Sequence, residues 1–145
     1  MNVEPVLERV AERIDAHLPE GNPWKGNLTA TVEDPKEGPN TWAVVHAVGE
    51  PRELVAGNDT VQASCRVYAQ VVPTEGLWSA QQAVQFADEL ADALRATAED
   101  MRTAEYAAAE RWLVLGLHIS GGGTMRAEEG VGWVCSLPFL LSVQF

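Results

Sequence analysis

Positive charge is scarce in this chain. Its 145 residues include only two lysines, Lys25 and Lys36, and ten Lys plus Arg stand against 21 Asp plus Glu, for a formal net charge of −11. Such a polyanion repels nucleic acid and anionic membranes, so a DNA-gripping module is disfavoured. The acid excess also favours solubility. Long apolar runs are missing too: none approaches the roughly 18 residues of a membrane span. The stretch Met1–Val10 contains Glu4, Glu8 and Arg9 and lacks the apolar centre of a signal peptide, so no leader and a cytoplasmic setting are expected. On that expectation the sequons at Asn27 and Asn58 are chance matches.

Cysteine is limited to Cys65 and Cys135. Each falls on the apolar phase of an alternating stretch, where a free cysteine behaves as a small hydrophobe. Spacing alone does not assign a disulfide between them. The three histidines, His17, His46 and His118, are isolated, and no H-x-x-H, H-E-x-x-H or C-x-x-C pattern occurs, so no metal set is expected. Ser120–Thr124 is glycine-rich, but neither a helix nor a lysine follows it, as a phosphate cradle would want; a mobile connection is the better reading. There is no G-x-S-x-G elbow. The acidic pairs Asp88-Glu89 and Glu128-Glu129 read as solvated charge, because a catalytic carboxylate pair needs one member in a low-dielectric cleft. No catalytic residue and no cofactor is expected.

What the sequence does contain is a strong α and β pattern, centred on residues 59–94. From Val61 to Val71 every odd position is apolar or small, and Gln62, Ser64, Arg66, Tyr68 and Gln70 alternate with them. That period marks a strand with one buried face. Pro73–Gly76 stops it. Ser79 and Gln82 form a capping-box pattern ahead of a helix from about Ala80 to Thr97. In that helix Phe86, Leu90 and Leu94 recur at one-turn spacing beside Ala83, Ala87 and Ala91, while Asp88, Glu89 and Asp92 point outward. The Ala-rich stretch Ala98–Glu110 reads as a helix extension followed by a surface excursion.

Upstream, Val3, Val6, Leu7, Val10, Ile14 and Leu18 trace one face of a helix with Asn2 as its cap, Pro5 in its first turn and Pro19 and Gly21 at its end. Trp24 lies in a Gly/Asn/Pro loop, either tucked against the domain or exposed for a partner. Leu28–Glu33 is a short strand, and Asp34–Asn40 a turn. Thr41–Val48 is apolar on both faces, as an interior strand would be. Gly49–Asn58 is a longer loop that joins it to the organising strand as an extended hairpin.

Downstream, Arg111–Ile119 reads as a strand with Leu113, Leu115, Leu117 and Ile119 on one face and Trp112, Val114 and His118 on the other. Gly116 marks a bulge or a close packing point. Ser120–Gly130 is a flexible connection. Gly132–Phe145 closes the chain as a strand with seven apolar odd positions, Trp133 to Phe145, and with Pro138 placing it at an edge or giving it a bulge. The expectation is one α+β domain of order α-β-β-β-α-β-β, an antiparallel or mixed sheet with two helices packed against it.

This succession resembles that of the tail terminator, or tail completion, proteins of long-tailed phages. The resemblance rests on the opening amphipathic helix, the strand Thr41-Trp42-Ala43-Val44-Val45-His46, the loop Val48–Asp59, the alternating strand Thr60–Val72, the helix Ala83–Leu94 and the closing strand Trp133–Phe145. It is a pattern over most of the chain rather than a signature motif. It implies a structural virion protein at the capsid-proximal end of the tail, assembled in the host cytoplasm. Such a subunit forms a homo-hexameric ring that caps the tube and halts its growth. Its partners would be its own copies, the tail tube protein and a head-completion or stopper protein, with DNA only as cargo through the channel and no membrane. Trp24, Pro51, Arg52, Gly122, Met125 and Leu140 are the candidate partner-contact residues, mostly on loops, which carry recognition in many folds. Two alternatives stand beside this: another connector, neck or minor tail protein, or a small α+β enzyme or ligand-binding domain with a pocket near His46 and His118.

Overall fold

The computed structural model describes residues 3–30, 42–46, 52–53, 60–71, 80–102, 111–120, 124–128 and 132–145. The protein is α+β. Helix α1 (Glu4–His17) is followed by strands β1 (Leu28–Ala30), β2 (Trp42–His46), β3 (Arg52–Glu53) and β4 (Thr60–Val71). Then come helix α2 (Ala80–Asp100) and strands β5 (Leu113–Ile119), β6 (Thr124–Glu128) and β7 (Gly132–Gln144). The expected order holds for the long elements, and two short strands are added. β3 lies in the stretch read as a loop, and β6 in the stretch read as a flexible connection.

The seven strands form one sheet with the path β1-β2-β4-β7-β5, while β3 pairs with β4 and β6 with β7. β1 runs parallel to β2 and every other pairing is antiparallel, so the sheet is mixed. Its spine is the β4–β7 ladder, unbroken from Thr60↔Gln144 to Val71↔Trp133. Directly paired residues share a face, so Val61, Ala63, Cys65, Val67 and Ala69 meet Val143, Leu141, Phe139, Leu137 and Cys135 on the core side. Fully burying a Phe139 or Leu141 side chain contributes about 1.5–3 kcal/mol.

Helix α1 buries Val6, Leu7, Val10, Ala11 and Ile14. Its N-cap is Val3, which makes no side-chain cap, in place of the expected Asn2. It ends where Leu18 turns extended (ψ 133°) ahead of Pro19. Lys25 Nζ then donates to the carbonyls of Leu18 (2.6 Å) and Asp15 (3.3 Å), satisfying the exposed end of the helix. Helix α2 runs to Asp100, into the stretch expected to extend it, and buries Ala83, Phe86, Leu90, Ala93, Leu94 and Thr97. Thr97 Oγ1 donates to the Ala93 carbonyl at 2.8 Å, so its burial leaves no orphan hydroxyl. The expected cap Ser79 lies outside the described residues, as does 103–110.

Two expectations need correction, and the bulge expected at Gly116 is borne out. β7 is interior, flanked by β4 on one side and by β5 and β6 on the other, so Pro138 marks no edge. The Pro138 carbonyl accepts the Ser120 amide at 3.1 Å, so its backbone nitrogen also faces the point where β6 pairing (to Ser136) gives way to β5 pairing (from Phe139). A missing N–H interrupts little there. In β5 the register shifts between Val114 and Gly116, so Gly116 belongs to a bulge, and open space around it excludes a close packing point. The extra residue moves the core face from Trp112 and Val114 to Leu117 and Ile119, and leaves Leu115 43% exposed, so the four odd-numbered apolar residues do not share one face.

Candidate functional site

The two layers of the molecule differ in chemistry. Helices α1 and α2 carry nine carboxylates against three arginines: Glu4, Glu8, Glu12, Asp15, Asp88, Glu89, Asp92, Glu99 and Asp100 with Arg9, Arg13 and Arg95. Strands β2, β4, β5 and β7 carry no carboxylate side chain and one formal charge, Arg66. The alternation that buries odd residues of β4 and β7 sends Ser64, Arg66, Tyr68, Pro138 and Leu140 to the face opposite the helices. There Arg66 lies over the Tyr68 ring, 5.3 Å from its centroid, a cation–π contact. Ser64, Leu140 and His118 form one cross-strand row, with Leu140 half-buried between two exposed polar neighbours.

Of the sequence-predicted contact residues, Leu140 is placed with its side chain on this face. Trp24 is a correction: the indole is fully buried. Its Nε1–H donates to the Gln70 carbonyl at 3.0 Å, its own carbonyl accepts Trp42 Nε1 at 2.8 Å, and its ring meets Phe86 edge-on with centroids 6.5 Å apart. Asn22 fixes the loop by accepting the Trp24 amide and donating to Glu89, so Glu89 is a loop tether rather than bulk solvated charge. Trp24 therefore pins the 19–27 loop to the core. Arg52 lies on β3 opposite Gln62, and Met125 on β6 opposite Cys135. Pro51 and Gly122 fall outside the described residues.

The two-histidine site does not assemble. His46 pairs with Cys65, Cys65 with Phe139, and Phe139 with Ile119, so β4 and β7 stand between His46 and His118, about 14 Å at ordinary strand spacing. No cluster of three metal-ligating side chains occurs among the described residues. Cys65 and Cys135 are free and buried, four rows apart on the same ladder, about 13 Å and well beyond disulfide reach. Burial pushes the Cys65 thiol up to about 12 and, with the Asp88 carboxylate adding to it, the Cys135 thiol up to about 11. Neither is a nucleophile at neutral pH.

Two features were not foreseen. The first is a clip between the helices: Arg13 Nη2 donates to Asp100 Oδ2 at 2.5 Å, and His17 Nε2 lies 2.6 Å from the same oxygen. The Arg13 hydrogen bond, then that of His17, hold the Asp100 carboxyl below its ordinary value. Arg13 and His17 sit one turn apart on α1, a spacing visible in the sequence, but their common acceptor is 83 residues from His17. The second is an open cleft of about 310 Å³ between α2 and β5, lined by Arg95, Ala98, Leu117, His118 and Ile119. Leu117 and Ile119 form its floor and Arg95 its helix-side rim, while the His118 side chain belongs to the row with Leu140 on the opposite face of the sheet. Arg95 also pairs with Asp92 at 2.7 Å, an exposed contact worth little in water. No helix among the described residues is long and apolar enough to cross a membrane.

No protein-family model matches the chain, and no curated protein matches it significantly.

Proposed function

We propose that this protein is a structural subunit of a phage virion, a tail terminator that caps the tail tube as a hexameric ring, stops its polymerisation and joins it to the capsid connector. The observation that carries this reading is the unlike chemistry of the two layers. An acidic helix layer lies on one side of a sheet whose strands β2, β4, β5 and β7 carry no carboxylate side chain and display Leu140 and Leu115. A closed ring built head to tail needs two different, complementary surfaces on each copy, whereas a twofold dimer needs one surface that matches itself. The succession of elements, with its opening amphipathic helix and its long closing strand, supports the same reading. The partners are then further copies of the chain, the tube protein below and a stopper protein above, with DNA passing through a lumen whose acidic lining would not grip it. Deleting the coding sequence from its phage should yield tails of irregular, overgrown length that fail to join heads. Uniform tails of normal length in the deletion would sink the reading.

A further inference from the structure

Taking the ring reading as its premise, we infer that the outer edge of β5 pairs with β1 of a neighbouring copy, so that the sheets of successive subunits run on into one another. The cleft between α2 and β5 locates this edge. It is lined by three successive residues, Leu117, His118 and Ile119, whose side chains alternate between the two faces of the sheet. A cavity on either face would touch every second residue. This one therefore runs along the outer edge of the strand, beside Arg95 and Ala98 of α2.

The backbone at that edge is aimed outward. The Ser120 amide donates to the Pro138 carbonyl, so alternation along the ladder makes His118↔Leu140 a hydrogen-bonded pair as well. Leu117 and Ile119 hold the intervening positions, and their N–H and C=O groups point away from β7, into the cleft. Neither residue has a hydrogen-bond partner on that side among the described residues. Donors and acceptors spaced in this way are what an added strand takes up. Native edges are commonly blunted by lysine or proline. The sequence of β5, Leu-Val-Leu-Gly-Leu-His-Ile, has neither, and its bulge lies before Gly116, so the register from Leu117 to Ile119 is regular.

The position of β1 makes it the occupant. The sheet path ends at β5 on one side and at β1 on the other, and among the described residues β1 pairs with β2 alone. Each copy thus has two unlike strand ends. Joining one to the other is a heterologous contact that repeats until rotation closes the ring. The strands are also compatible in chemistry: β1 is Leu-Thr-Ala, and neither it nor β5 carries Asp, Glu, Lys or Arg. Leu28, Leu117 and Ile119 all pack against the core, so the pairing carries the apolar layer across the joint.

The test is residue-resolved amide exchange of the full chain over a concentration series, with native mass spectrometry to count copies. In dilute protein the Leu117 and Ile119 amides should exchange roughly tenfold or more faster than that of His118, which β7 holds. As species beyond a dimer grow, both should slow by about tenfold or more, and an amide within Leu28–Ala30 should slow with them. Ile119→Pro deletes an outward N–H and leaves the β7 ladder intact. It should raise the concentration for half-association by about tenfold or more, and Ile119→Ala, which keeps the N–H, should change it less. Circular dichroism confirms that both variants keep the fold. A monomeric wild type, Leu117 and Ile119 amides protected at every dilution, association that leaves them fast, or proline and alanine variants that associate alike would each overturn the proposal. So would a dimer that slows Leu117 and Ile119 but no amide of Leu28–Ala30, because β5 would then pair with a second β5. Tail length in the deletion phage reports separately: normal tails would remove the terminator reading and leave the exchange result standing.

Discussion

The Ser120 amide donates to the Pro138 carbonyl at 3.1 Å, and this bond explains how a proline occupies the middle of an interior strand. Within a strand a residue's N–H and C=O point to the same side, so the Pro138 nitrogen is turned away from β4 and toward the β6–β5 junction. Replacing it with alanine should cost only the stiffening that proline gives the unfolded chain, about 0.4–1 kcal/mol. Leu137, one residue along, points its N–H into the β4 ladder. Leu137→Pro should cost about 3 kcal/mol or more. Urea denaturation of the two variants checks the contrast; equal losses would place Pro138 in the ladder after all.

Trp24 supplies the second prediction. It fills the junction of the 19–27 loop, β4 and α2, with its indole N–H on Gln70. Trp24→Ala should lose about 3–5 kcal/mol. Trp24→Phe should lose less, chiefly the hydrogen bond to the Gln70 carbonyl, about 0.5–1.5 kcal/mol. An exposed docking tryptophan would show near-wild-type stability in both. Denaturant midpoints decide, with the m-value checked for constancy.

How far the sequence revealed this arrangement depended on how far apart the interacting residues lie. Period-two alternation placed the buried faces of β4 and β7 residue by residue, because each strand's pattern is local and unbroken. The Phe86, Leu90 and Leu94 stripe did the same for α2. β5 was misread past Leu115: a bulge inverts the faces, and Gly116 signals the bulge without saying which residue is extra. β6 was missed because Thr124–Glu128 is short and sits next to a glycine-rich run. The pairing of β4 with β7, the parallel β1–β2 contact and the shared acceptor of Arg13 and His17 are set by tertiary packing, on which a single sequence is silent. The sequence missed the cleft, since Arg95 and Ala98 of α2 come beside Leu117 and Ile119 of β5 only in the fold.

The clip at Asp100 makes stability depend on acidity. Its folded pKa is lowered by Arg13 and then His17, so the ionised carboxylate is the stabilising form. The contribution is fully present above the ordinary carboxylate range and is lost as pH falls through the lowered folded value. Asp100→Asn should therefore destabilise at pH 7, by no more than about 1 kcal/mol for a partly exposed cluster. The gap to wild type should shrink as pH falls below the carboxylate range. A gap that stays constant across urea titrations at neutral and acid pH would remove the clip from the account.

Both thiols should be silent in the folded protein. Cys65 is raised to about 12 and Cys135 to about 11, and both are buried, so neither thiolate nor access is available near pH 8. A thiol-titrating reagent should count none of the two before denaturant is added and both afterwards. Mild oxidants should form no intramolecular disulfide, because the ladder holds the pair about 13 Å apart. Prompt native reaction of either thiol would mean that the sheet opens where Cys65 or Cys135 lies.

Leu140 tests whether the face opposite α1 and α2 is a contact surface. It sits in the row Ser64–Leu140–His118, partly exposed, where an isolated subunit gains little from an apolar side chain. Leu140→Thr introduces a β-branched, strand-compatible residue and removes apolar area. Stability of the free subunit should fall by about 1 kcal/mol or less, because the deleted groups are only half-buried. Tail completion in a phage carrying the variant should drop by more than that loss explains, since a contact that desolvates Leu140 against a partner forfeits the full burial. If infectivity tracks stability alone across Leu140→Thr, Leu140→Ala and Leu140→Met, the face is ordinary surface and assembly is carried by the sheet edges instead.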